Sequence, residues 1–130
     1  MIPYQRLIVL IVVLILLTGC GRIQRQQTAA DLGVSVEVAI DPDQPSVGPT
    51  RLIFTLTDAQ GHPINDAVLD VEGNMTHAGM TPVLAQARAG QAGQYVVPFE
   101  WTMSGDWIVT LDVALADGRR FTHQTEVSVQ

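Results

Sequence analysis

Met75, His77 and Met80 fall within the nine-residue stretch Asn74-Met75-Thr76-His77-Ala78-Gly79-Met80-Thr81-Pro82. Thioether sulfur and imidazole nitrogen are the soft and borderline donors that suit Cu(I). Gly79 can take a positive φ and so turn Met80 back toward the other two side chains. On either side of this stretch apolar and polar residues alternate; within it the alternation stops, which marks a loop. The chain has four methionines, one of them Met1, so Met103 is the only other thioether outside this loop and the start of the chain. A plainer reading stands beside the metal one. Methionine fills irregular gaps at the ends of cores, so Met80 and Met103 also fit as plugs, and His77 as a loop histidine without a partner.

The elements that must position these residues are strands. Val34, Val36, Val38 and Ile40 alternate with Ser35, Glu37 and Ala39, the period of a strand with one buried face. Asp41-Pro42-Asp43-Gln44-Pro45 ends it, because proline cannot donate to a ladder. A second strand is predicted over 51–57, a third over 67–72 and a fourth over 83–89. The fifth carries Tyr95, Val97, Phe99 and Trp101 on one face and Pro98 on the other, which assigns it to an edge or a bulge. The sixth is the most regular, with Trp107, Val109, Leu111, Val113 and Leu115. Asp117-Gly118 then signals a hairpin into a seventh, Phe121 to Val129. Seven short strands without a helical period indicate an all-β fold, an immunoglobulin-like antiparallel β-sandwich.

Strand direction decides which residues can meet. With short connections, the loops after strands one, three and five share one end of the sandwich. Met75, His77, Met80 and Met103 are therefore expected together. His62, in a Gly-His-Pro turn, and His123, early in the last strand, belong at or near the opposite end. Asp41 and Asp43 offer two carboxylates, far short of the six to eight oxygens that Ca²⁺ takes.

The start of the chain reads as an export signal. Arg6 precedes an apolar run from Leu7 to Leu17, eleven residues long. That is too short for a membrane span, which needs about 20, and it suits a secretory signal. The run leads into Leu17-Thr18-Gly19-Cys20, which resembles a bacterial lipobox with Cys20 as the lipidated residue. The expected organisation is a signal peptide over 1–19, lipidated Cys20 with a flexible tether over 20–31, and one domain over 32–130. Cys20 is the only cysteine, so packing rather than a disulfide must hold the fold. Without Arg6, six arginines oppose thirteen acids, a net charge near −7, and there is no lysine. Such a chain cannot grip phosphate backbones by charge, so nucleic acid is not an expected partner. Attachment to the membrane would rest on the lipid, on the extracytoplasmic face.

Several motifs together resemble the YtkA-like domain family. They are Asp41-Pro42 with Pro45-Ser46-Val47-Gly48, the run Leu56 to Ile64, the loop Met75 to Pro82, and Gly93-Gln94-Tyr95 followed by Met103-Ser104-Gly105-Asp106-Trp107. The resemblance spans about Val34 to Val129 and implies an immunoglobulin-like extracytoplasmic domain. It also implies kinship with FixH-like proteins, which are linked to copper delivery and assembly of haem-copper oxidases, and so an oxidase subunit or other membrane protein as partner. FixH-like proteins usually keep a membrane helix, which a lipid would replace here.

No serine, thiol and histidine stand in a nucleophile motif, and no carboxylate pair can be singled out for acid–base work; the sequence reads as a non-enzyme. Two functions follow. One is a lipid-anchored Cu(I)-handling domain with Met75, His77 and Met80 as ligands, Met103 as a fourth, and Trp101 or Trp107 placed to cover the ion. The other is a metal-free sandwich whose Met/His end contacts an envelope protein.

Overall fold

The computed structural model describes residues 26–130; the signal peptide expected over 1–19 and the expected lipidation site Cys20 lie outside the described residues. Among the described residues no helix is long and apolar enough to cross a membrane. The chain forms β1 (Ser35–Asp41), β2 (Gly48–Thr57), β3 (Val68–Met75), β4 (Val83–Ala87), β5 (Gln94–Trp101), β6 (Gly105–Ala114) and β7 (Arg120–Val129). A single 3₁₀ turn, Ala30–Leu32, precedes them. The strands make two antiparallel sheets, ordered β1-β2-β5 and β4-β3-β6-β7. This is the seven-stranded sandwich that the alternation predicts.

The core follows from strand period. Leu52, Phe54 and Leu56 of β2, Tyr95, Val97, Phe99 and Trp101 of β5, and Trp107, Val109, Leu111 and Val113 of β6 are all buried. Their chain neighbours face outward, as a pleat requires. Pro98 sits on β5, an edge strand of its sheet, the kind of position where a residue without an N–H is tolerated.

Residues 26–34 are part of the folded body. Thr122 N–H donates to Gln27 O at 3.2 Å, the Gln26 amide donates to Thr122 Oγ1 at 3.0 Å, and Ala29 is buried. The segment read as a tether is therefore docked along β7 from Gln26 onward, because Ala29 and Val34 have apolar surface to cover.

The Gly93-Gln94-Tyr95 motif ties one end of the sandwich together. The Tyr95 hydroxyl donates to Ile64 O at 2.9 Å and accepts from Ala67 N–H at 3.0 Å. Asn65 Oδ1 accepts from Gly93 N–H at 2.7 Å. Gly93 has φ +79°, and a Cβ there would stand 2.7 Å from Leu56 O. Burial pushes the Tyr95 hydroxyl pKa up, partly opposed by the Ala67 bond, so it stays a neutral donor. Tyr95→Phe keeps the ring but strands the buried Ala67 N–H and the Ile64 carbonyl. A loss of about 1–3 kcal/mol is expected in denaturant unfolding; a loss within a few tenths would show that the hydroxyl contributes nothing.

Candidate functional site

The four predicted site residues lie at one end of the sandwich. Pairing of Met75 with Trp107, Gly105 with Val129, and Gly48 with Trp101 puts the ends of β3 and β5 beside the starts of β6 and β2. The β3–β4 loop, 76–82, carries His77 and Met80, and the β5–β6 loop, 102–104, carries Met103. His77, Met80 and Met103 are exposed, Met80 at 36% and Met103 at 47%.

Met75 is placed differently from the expectation. The third strand does not stop at Glu72: Gly73, Asn74 and Met75 continue to pair with Val109, Ile108 and Trp107. Met75 shares the inward face with Leu69 and Val71 and is half-buried against the core. Its methyl carbon occupies the space that a Cβ on Gly105 would take, at 2.9 Å. The strand runs on because Gly73 has no side chain. A Cβ there would meet Phe99 Cζ at 2.5 Å, so glycine lets the Phe99 ring lie over β3.

An aromatic row supports this end from beneath. Phe99 and Trp101 pack edge to face at 4.9 Å, and Trp101 and Trp107 at 5.3 Å. Trp107 Nε1 donates to Met103 O at 3.1 Å and fixes the β5–β6 loop. Thr76 N–H donates to Asp106 O at 3.1 Å and fixes the start of the β3–β4 loop. The two indoles are buried rather than open to an ion above them. Their role at this end is packing and loop attachment, which corrects the cation–π cover expected from their position.

The other histidines stand elsewhere. His62 lies in the β2–β3 connection at the opposite end, its Nδ1 3.2 Å from Asp58 Oδ2. Asp58 Oδ1 also accepts the His62 and Gln60 amides, and chiefly the His62 amide holds the Asp58 pKa below its usual value. His123 is half-buried on β7, opposite Leu111. A groove of about 730 Å³ crosses the outer face of the four-stranded sheet past Gln26, Asp70, Asp112, Arg120 and Thr122. It offers two carboxylates, engaged by Gln86 and Thr122, beside the Arg120 guanidinium, and no soft donor. Among the described residues no three His, Cys, Asp or Glu side chains cluster as a metal site.

Sequence reasoning missed Gly105 as the seat of Met75, and the Trp107 bond to Met103. Both lie in Met103-Ser104-Gly105-Asp106-Trp107, a spacing whose physical content is a tight sheet-to-sheet crossing with φ +131° at Gly105.

The YtkA-like family model matches residues 28–112. The chain belongs to the YtkA-like family. The matched span takes in every loop at the Met/His end and the motifs Gly93-Gln94-Tyr95 and Met103-Ser104-Gly105-Asp106-Trp107. No curated protein matches the chain. Among solved structures, the YtkA-like domain is similar to the PmoD soluble domain from Methylocystis sp. ATCC 49242 (Rockwell), with a TM-score of 0.51 and 15% identity over 73% of this chain and 90% of that one. It is also similar to superoxide reductase (neelaredoxin) from Ignicoccus hospitalis, with a TM-score of 0.52 and 10% identity over 81% of this chain and 82% of that one. At these identities the likeness is one of fold.

Proposed function

We propose that this YtkA-like protein is a lipid-anchored, extracytoplasmic, non-catalytic module that binds Cu(I) at its Met/His end. The observation that carries the reading is the gathering of three thioethers and one imidazole, from β3 and two adjacent loops, at the same end of the sandwich. Three of the four side chains are exposed, so ligands can reach an incoming ion. Met75 stands below them at the rim of the core. This donor set suits Cu(I) and suits Zn²⁺ poorly, since Zn²⁺ prefers thiolate, imidazole and carboxylate. Methionine also avoids the disulfide formation to which an exported cysteine site is exposed. The resemblance to the YtkA-like family implies kinship with FixH-like proteins, and on that implication the copper is handed to a membrane partner such as an oxidase under assembly.

A Cu(I) competition titration on residues 26–130 tests the binding. One equivalent of Cu(I) is expected to transfer from a weak Cu(I) chelator, with Zn²⁺ unable to displace it. Failure to compete removes the copper reading and leaves an apolar contact surface for an envelope protein.

The address rests on Cys20 and the apolar run before it. Cys20→Ser is expected to move the protein out of the membrane fraction or to leave the precursor uncut. Unchanged fractionation and size would remove the anchor.

A further inference from the structure

Two antiparallel sheets have four edges, and three of them are blunted. β4 is only five residues long. β5 carries Pro98. β7 is covered near both ends, by Gln27 at Thr122 and by Pro45 and Val47 at Gln130. Short strands, proline and covering segments are the devices that keep an edge from pairing with another chain. β1 has none of these three; its edge charges are Glu37 and the terminal Asp41. It is seven residues, Ser35-Val36-Glu37-Val38-Ala39-Ile40-Asp41, with no proline, glycine or lysine. Among the described residues no loop or terminus makes a backbone hydrogen bond to it. Its inward side chains Val36, Val38 and Ile40 stay half-buried, although they pack against the core.

We infer that β1 is a homodimer edge, at which a second copy of this chain lays its own β1 antiparallel about a two-fold axis through Val38. The strand's own pattern fits this occupant. In that register Val36 faces the partner's Ile40 and Val38 faces its equivalent, so the inward positions match apolar to apolar. On the outward face Glu37 falls directly opposite the partner's Ala39, and Ser35 opposite the partner's Asp41, so no like charges stand directly opposite; the partner's Glu37 and Asp41 lie one diagonal away from Glu37. Asp41 is already engaged by Arg51. A two-fold contact must be self-complementary in this way. Pairing would join two three-stranded sheets into one of six and cover the half-exposed valines. The inference is independent of copper, because β1 belongs to neither loop of the Met/His site.

Ala39 provides the test. It is exposed, and its neighbour in the same chain is Ile53, so a charged side chain there is tolerated in the monomer. Ala39→Glu puts two glutamates opposite each other twice per dimer, and Ala39→Lys puts two opposite-charge pairs there instead. Sedimentation equilibrium of the full chain in detergent is expected to show a monomer–dimer equilibrium. A39E should weaken it roughly tenfold and A39K should tighten it several-fold, as two cross-strand charge pairs allow. Circular dichroism checks that each variant folds; if A39E does not, A39K alone decides. A wild-type monomer at high micromolar concentration overturns the inference. So does a dimer whose affinity the two variants leave alone or shift in the same direction.

Discussion

Trp107→Ala is expected to lose about 3–5 kcal/mol, the usual result of truncating a buried indole. Trp107 is 1% exposed, stacks edge to face on Trp101 and holds the Met103 carbonyl. Domains of this size carry about 5–15 kcal/mol in all. The variant should therefore melt at least about 10 °C lower, and a fraction of it is expected to be unfolded at growth temperature. Phenylalanine separates the two roles. Trp107→Phe keeps most of the packing and loses the bond to Met103 O, so it should cost about 1 kcal/mol beyond the volume change. Trp101→Phe breaks no such bond, since the Trp101 indole N–H is buried without a partner among the described residues. Removing that unsatisfied donor offsets part of the lost packing. Trp107→Phe should thus be the costlier of the two in thermal melts. The reverse order would mean that the Met103 carbonyl gains nothing from Trp107.

The sandwich was legible because its strands are regular. In β6 every second residue from Trp107 to Val113 is apolar and buried, and the same period places Leu52, Phe54 and Leu56 inside. Pro98 correctly marked an edge, where a missing N–H is tolerated. The limits of β2 and β3 were not legible. Gly48 and Pro49 fall before the second strand predicted over 51–57, yet both residues pair with β5, Gly48 opposite Trp101 and Pro49 opposite Glu100. Gly73-Asn74 reads as a loop, yet it pairs with Val109 and Ile108. In both places a residue with poor strand propensity is kept in the ladder by tertiary packing. Phe99 over Gly73 is the clearest case. The meeting of Met75, His77, Met80 and Met103 at one end followed from strand direction alone. What strand direction cannot give is depth. Met75 lies at the rim of the core because β3 runs three residues past Glu72.

That difference in depth shapes the decisive metal experiment. His77→Ala with Met80→Leu is expected to abolish Cu(I) binding while the protein stays folded. Both residues are exposed and lie on the β3–β4 loop, outside the core cluster. His77 makes no hydrogen bond among the described residues. Met80→Leu nearly conserves volume, and such a change usually costs under about 1.5 kcal/mol even in a core. The melting curve should therefore barely move, and lost binding would report lost ligands. Met75 would be the wrong first choice, because its methyl fills the space beside Gly105. Its removal would loosen the end of the sandwich and confuse ligand loss with packing loss. His62→Ala is the control. It breaks the contact to Asp58 at the far end and should leave Cu(I) affinity alone. If His62→Ala weakens binding as much as the double variant does, copper binds this protein away from the Met/His end. If the double variant still takes up one Cu(I) with wild-type affinity, the loop donors are not the ligands. The thioethers of Met75 and Met103 would then be the next to replace, with the melting curve of each variant measured alongside its titration.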